Sequence, residues 1–119
     1  MLQATVMMNA RQVNAATSII DIQGEVSAFA ENALMGAYQE ASTSTTRTLI
    51  LNFIELKYLN SRGIALLITL LILANRQMQR LFAYGLNEHY RHILELTRLN
   101  DVISIYGTED EALAGAQAS

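Results

Sequence analysis

One short segment gathers the residues best placed to carry a modification or a contact: Leu59-Asn60-Ser61-Arg62-Gly63. Ser61 stands directly ahead of an apolar helical pattern, so its hydroxyl reads as a helix N-cap or as a phospho-acceptor, and the two roles are compatible. Free N–H groups and the dipole at a helix N-terminus favour negative charge, so a phosphate there is held without rearranging the fold. It adds roughly −1.5 to −2 charges to whatever surface surrounds it. A second group lies on the following helix. At about 100° per residue, Arg62, Leu66, Thr69, Leu73, Arg76 and Arg80 share one side, and Ile64, Leu67, Ile68, Leu71 and Met78 the other. The second set is expected to face the core. Leu66 and Leu73 are then exposed on a basic-flanked stripe that would meet a partner, or a second copy of the chain in a homodimer. A third group is His89 and His92, three apart on a helix with Glu88 and Glu95 nearby. That spacing can ligate a metal, but no further ligand cluster accompanies it, so solvated helix surface is expected and no metal site is assigned.

Other chemistry is excluded by what is missing. The chain has 119 residues and no cysteine, which removes disulfides, thiol catalysis and cysteine-ligated metal sites. There is no Gly-rich phosphate loop, no GxSxG elbow and no HExxH, so neither an enzyme nor a cofactor is expected. A receiver-type phospho-acceptor needs acids clustered at strand ends. Asp21 falls inside an early strand, while Asp101 and Glu109-Asp110-Glu111 read as turn and capping charges. A net charge of −3 without a Lys/Arg cluster argues against nucleic acid. Ile64 to Ala74 is apolar except for Thr69, about half the ~20 residues of a membrane span, and reads as a core helix. The start Met1-Leu2-Gln3-Ala4-Thr5 lacks the basic, apolar pattern of a signal peptide. One cytoplasmic domain over residues 1–119 is the expectation.

The elements that position these groups follow from periodicity. Thr17 to Gln23 is a strand ending at Gly24, with Val6 to Val13 as a weaker strand pairing with it. Val26 to Ala41 is a helix capped by Ser27, and Ser42 to Thr46 is a loop. Thr48 to Ile54 is a continuous apolar run, expected as a central strand covered on both faces. A helix from Arg62 to Arg80 follows, with Ser61 as its cap and Arg76 and Arg80 at its C-terminal end. Then come a strand at Leu81–Tyr84, a helix Glu88–Arg98 capped by Asn87, and a strand Val102–Tyr106. Thr108-Glu109-Asp110-Glu111 opens a last helix to Gln117 with a capping box. Strands alternating with helices imply an α/β fold with a mostly parallel sheet and right-handed crossovers. In such sheets partners meet the carboxyl ends of strands, where the Asn60-Ser61 turn lies.

The stretch Leu49 to Leu67, through Leu59-Asn60-Ser61-Arg62-Gly63, resembles the signature region of STAS domains, and more narrowly of anti-sigma-factor antagonists. In that family a hydrophobic strand and a short loop lead to Asp-Ser-Ser/Thr-Gly and an apolar helix. Ile22-Gln23-Gly24-Glu25-Val26 resembles the family's earlier Gly-Glu-Leu-Asp turn, and Tyr90 to Val102 its late helix. The resemblance implies a four- or five-stranded, mostly parallel mixed sheet with helices packed mainly on one side. It also implies partner switching. The antagonist binds an anti-sigma factor that is also a serine kinase, the kinase phosphorylates the serine after the signature Asp, and a phosphatase resets it. That serine is Ser61 here. The implied partner-binding residues are Gly24, Glu25, Ser27, Asn60, Ser61, Arg62 and Gly63, joined by Leu66, Thr69 and Leu73 of the helix stripe. The signature Asp is replaced by Asn60, the early-turn Asp by Ser27, and a small hydroxyl residue by Arg62. These changes favour an alternative expectation, a non-phosphorylated STAS scaffold or accessory subunit of a sensory or transport complex.

Overall fold

The apolar run in the middle of the chain lacks alternation because both of its faces are covered. A computed structural model describes residues 5–118. The chain runs β1 (Val6–Asn14), β2 (Thr17–Val26), a 3-10 turn (Ala28–Ala30), α1 (Glu31–Ala41), β3 (Thr48–Leu59) and α2 (Ser61–Arg76). It continues with β4 (Arg80–Tyr84), α3 (Glu88–Leu96), a 3-10 turn (Leu99–Asp101), β5 (Ser104–Tyr106) and α4 (Glu109–Gln117). The five strands lie side by side in sequence order. β1 is antiparallel to β2, and β2 to β5 are parallel, which gives the mixed sheet expected. Leu49, Leu51 and Phe53 of β3 enter the main core with Ile20, Ile22, Leu34, Leu67, Leu70 and Leu94, under α1, α2 and α3. Ile50 points the other way and joins Ile19, Phe82, Tyr84 and Ala112, under α4. Among the described residues, three helices therefore cover one face and α4 the other. No helix among the described residues is long and apolar enough to cross a membrane.

Several boundaries differ from the expectation. β2 does not end at Gly24 but passes through it, with a register shift against β3 on either side. Gly24 has φ 96°, and a Cβ there would collide with the Thr5 carbonyl, so only glycine fits this passage. Val26 ends β2, and Ser27 caps the 3-10 turn, accepting from the Phe29 N–H at 3.4 Å. The first helix consequently starts at Glu31. β3 runs on to Leu59 because Glu25 and Val26 continue to pair with Tyr58 and Leu59. α2 stops at Arg76. Met78 takes the left-handed conformation (φ 58°), and Met78 and Gln79 donate back to Asn75 and Ala74 at 3.0 and 2.9 Å. Met78, expected in the core, is exposed. α3 ends the same way before Arg98 (φ 64°), and the next strand shortens to Ser104–Tyr106. Arg80 lies in β4, not at the end of α2. Its guanidinium sits 5.1 Å over the Phe82 ring and donates to the Ala116 carbonyl at 2.7 Å, so it holds the C-terminal end of α4.

α4 is also fastened at its other end. Arg11 of β1 donates to Asp21 of β2 at 2.5 and 2.9 Å and to Glu109 of α4 at 2.9 Å. The Tyr84 hydroxyl donates to the same Glu109 oxygen at 2.7 Å, and Asn52 donates to Asp21 at 2.8 Å. Glu109 is thus a tether between helix and sheet, and Asp21 is more than a strand residue. Burial pushes the Asp21 carboxyl up, but hydrogen bonds from Arg11 and Asn52 outweigh it and leave the group below its ordinary value. Glu109 is lowered by the Tyr84 hydroxyl and by Arg11. A carboxyl lowered on folding stabilises the fold above its unfolded value of about 4, and that stability is lost as pH falls through the folded value. Thermal melts between pH 6 and pH 2 are therefore expected to show stability falling below about pH 4. Glu109→Gln is expected to flatten that fall and to lower stability at neutral pH.

Candidate functional site

The carboxyl ends of β2 and β3 lie next to each other; the chain leaves β2 into the 3-10 turn and β3 into α2. Val26 pairs with Leu59, and the Asn60 N–H reaches the Val26 carbonyl at 3.4 Å. The Leu59 N–H donates to the Tyr90 hydroxyl at 3.2 Å, which anchors the end of β3 on α3. α2 then begins, and its cap is Asn60, not Ser61. Asn60 has extended backbone, and its side-chain oxygen accepts from the Gly63 N–H at 2.9 Å while its carbonyl accepts from Ile64 at 3.0 Å. Asparagine serves this role as well as aspartate, so the departure from the family's acid leaves the cap intact. Gly63 is buried at the point of closest approach, where a Cβ would collide with the Val26 carbonyl and the Leu59 side chain. Glycine is required there by contact, not by backbone conformation.

This cap frees Ser61. It is the first helical residue, it is exposed, and its hydroxyl has no hydrogen-bond partner among the described residues. The N–H groups of Ser61 and Arg62 have no acceptor within the helix. The Arg62 guanidinium is exposed next to it, with no ion pair or hydrogen bond among the described residues. Glu25, paired with Tyr58 across the strand ends, is exposed on the neighbouring edge. Ser27 is buried beneath the 3-10 turn, and Gly24 is half-buried in β2. The segments around Gly24–Ser27 and Asn60–Gly63 are thus brought together. Within them only Glu25, Ser61 and Arg62 are fully exposed.

The expected stripe on α2 needs correction. Gly63, Leu66, Leu67, Leu70 and Ala74 form its buried side. Leu66 is buried and Leu73 half-buried, while Ile68, assigned to the core, is 41% exposed and Ile72 beside it 47% exposed. The outward face is Ser61, Arg62, Ala65, Ile68, Thr69, Ile72 and Arg76. The phase error has a physical source, since both sides of this helix carry Leu and Ile at helical spacing. Gly63 was the available signal, because a glycine chosen for close contact marks the side facing the sheet. Sequence reasoning also missed Phe29, 80% exposed on the 3-10 turn that packs against α2. On α3, His92 sits 3.6 Å from Glu95 and the His89 ring lies edge-on to Tyr90. Among the described residues there is no group of three metal-ligating side chains.

Comparison with known proteins places this architecture. A family model for the STAS domain matches residues 7–112. An anti-sigma factor antagonist from Mycobacterium paratuberculosis superposes with a TM-score of 0.81 at 18% identity, over 95% of each chain. The Bacillus cell fate determinant SpoIIAA in its phosphorylated form gives 0.66 at 20% identity, over 92% of this chain and 99% of that one. A sulfate transporter family protein from Wolinella succinogenes gives 0.77 at 17% identity, over 91% of this chain and 90% of that one. At these identities the structural likeness concerns the fold.

The cap can be tested directly. Asn60→Ala is expected to lower unfolding stability by roughly 0.5–2 kcal/mol, and Asn60→Asp to retain or slightly exceed the parent value. Urea denaturation midpoints at unchanged slope read the difference. Ser61→Ala is expected to have almost no effect on stability.

Proposed function

Because the chain belongs to the STAS domain family, we propose that it is an anti-sigma-factor-antagonist-like regulatory protein of the cytoplasm. It binds an anti-sigma factor with serine kinase activity and is controlled by phosphorylation of Ser61, with a phosphatase reversing the modification. Its work is binding, not turnover. The observation that carries this reading is the division of labour at the turn. Asn60 caps α2, so the Ser61 hydroxyl is exposed and unengaged where helix N–H groups accommodate a phosphate. The partner surface is the outward face of α2, with Arg62, Ala65, Ile68, Thr69 and Ile72, together with Glu25 and Phe29 of the adjoining segment. Exposed Phe and Arg are residue types enriched at interfaces, and the exposed Ile68 and Ile72 add apolar area beside them. A phosphate introduced at the rim of such a surface acts by charge and desolvation, since a partner built to cover a neutral hydroxyl must then bury a dianion.

A second reading rests on Arg62. Its free guanidinium beside Ser61 can pair with a phosphate and blunt the repulsion on which a switch depends. The same surface would then serve a constitutive scaffold or an accessory of a sensory or transport complex, in keeping with the fold shared with the sulfate transporter family protein.

Incubation with a serine kinase of the anti-sigma-factor type and ATP is expected to add one phosphate, located at Ser61 by peptide mapping and absent in Ser61→Ala. Phosphate on another residue would overturn the site assignment. Affinity capture separates the two readings. Under partner switching, Ser61→Asp and Ile68→Glu both abolish binding of the kinase. Under the scaffold reading, Ile68→Glu alone does so. Retention of the partner by Ile68→Glu would refute the α2 surface in either case.

A further inference from the structure

The sheet ends on one side in β5, three residues long, and on the other in β1, nine residues long. The β1 edge has a defined polarity. Val6 faces Gly24, and the same register extends to the backbone hydrogen bond from the Glu25 N–H to the Thr5 carbonyl at 3.0 Å. Hydrogen-bonded and non-hydrogen-bonded pairs alternate along an antiparallel ladder. Met7, Asn9 and Arg11 therefore direct their backbone groups to β2, while Met8, Ala10 and Gln12 direct theirs off the edge. Long free edges are ordinarily blunted by proline, by free charge or by a central bulge. β1 has no proline, and its irregularity lies at its end, between Gln12 and Asn14. Its one charge, Arg11, is neutralised by Asp21 and Glu109.

An independent observation concerns Gly36, in the middle of α1. Glycine disfavours a helix interior, and no left-handed backbone calls for it here. Nor does any close neighbour among the described residues, since none of them lies within 4 Å of a Cβ built on it. α1 packs across β1 and β2, and the Tyr38 hydroxyl lies 3.3 Å from the Leu73 carbonyl of α2, which fixes the flank of α1 that faces inward. At about 100° per residue, Ala33, Gly36 and Glu40 fall on the opposite flank, toward the free edge.

We propose that β1 pairs antiparallel with β1 of a second copy of this chain, about a two-fold axis at Ala10, so that two sheets become one. In this register Ala10 faces Ala10 and Met8 faces Gln12 as hydrogen-bonded pairs, which is the parity the free backbone groups require. Asn9 faces Arg11. Met7, 55% exposed, faces Val13, 43% exposed, so the two exposed apolar residues of the strand cover one another. Strands sit about 4.8 Å apart, so two α1 helices, each seated over its own β1 and β2, come within about 10 Å across the axis. At that separation the small residues Ala33 and Gly36 become a helix–helix contact. α2 lies over β3 and β4, away from the axis, so each copy keeps its own outward α2 face. The proposal is independent of whether Ser61 is phosphorylated.

Sedimentation velocity on the full chain over a dilution series tests it, with circular dichroism as the control for folding. The parent is expected to form a two-copy species. Ala10→Pro is expected to be monomeric with an unchanged spectrum, because the N–H it removes points off the edge. Gly36→Gln is expected to weaken dimerisation by about tenfold or more, and Gly36→Ala to perturb it far less. A parent that stays monomeric at every concentration overturns the proposal. So does a dimer that a natively folded Ala10→Pro leaves intact, or one dissociated by Ile68→Glu instead. Should Ala10→Pro fail to fold, Gly36→Gln decides, and undiminished dimerisation in that variant counts against the interface.

Discussion

The architecture turns on one hydrogen bond, from the Gly63 N–H to the side chain of Asn60, made where Gly63 rests on the Val26 carbonyl. That contact joins the exits of two parallel strands to the start of α2 within a single turn. It needs a residue at 60 that can cap from extended backbone, and a residue at 63 with no side chain. Both conditions are met without calling on Ser61. A helix capped by its first residue's neighbour leaves the first residue free, and the serine hydroxyl is then available to solvent, a partner or a modifying enzyme. The buried side of α2, Gly63, Leu67, Leu70 and Ala74, follows from the same anchor, and so does the outward face that Ser61 shares with Ile68 and Ile72.

The two faces of the sheet do different work. The main core holds α1, α2 and α3 and brings the Asn60 turn to the sheet's carboxyl edge. The other face is closed by α4 over Ile19, Ile50, Phe82 and Tyr84, a smaller apolar cluster than the main core. It is completed by polar ties at both ends of the helix: Arg11, Asp21, Tyr84 and Glu109 at one, Arg80 on the Ala116 carbonyl at the other. This arrangement occupies the only charge on β1 and leaves that strand's edge without the usual protection.

Much of this was legible in sequence, and the failures have physical explanations. The run Leu49–Ile54 announced a central strand, the Thr108–Glu111 box marked the start of α4, and Asn87 marked the start of α3. The order of elements implied a mostly parallel sheet, and the family resemblance a mixed one. Helix stops were invisible because the left-handed positions are filled by Met78 and Arg98, residues that do not advertise them. Gly24 misled in the opposite sense, since a glycine inside a bulged strand looks like a strand end. The capping role went to Ser61 rather than Asn60 because both residues cap well and stand next to each other. Leu66 and Ile68 were placed on each other's sides of α2, while Leu67 inside and Arg62, Thr69 and Arg76 outside were placed correctly, because the helix is apolar nearly all round and periodicity alone could not fix its rotation. The network of Arg11, Asp21 and Glu109 joins residues far apart in the chain, which no local pattern reports.

The freedom of Ser61 is most directly examined by installing phosphoserine at position 61 and comparing amide nitrogen–proton correlation spectra with those of the unmodified chain. Shift changes are expected only around Glu25–Ala30 and Asn60–Thr69. The Gly63 amide should keep its protection from exchange, and the strand resonances before Glu25 in β2 and throughout β3 to β5 should not move. A Gly63 amide that loses its protection, or changes that spread through β3 and α4, would show that the phosphate displaces the Asn60 cap and that the serine is not free to carry it.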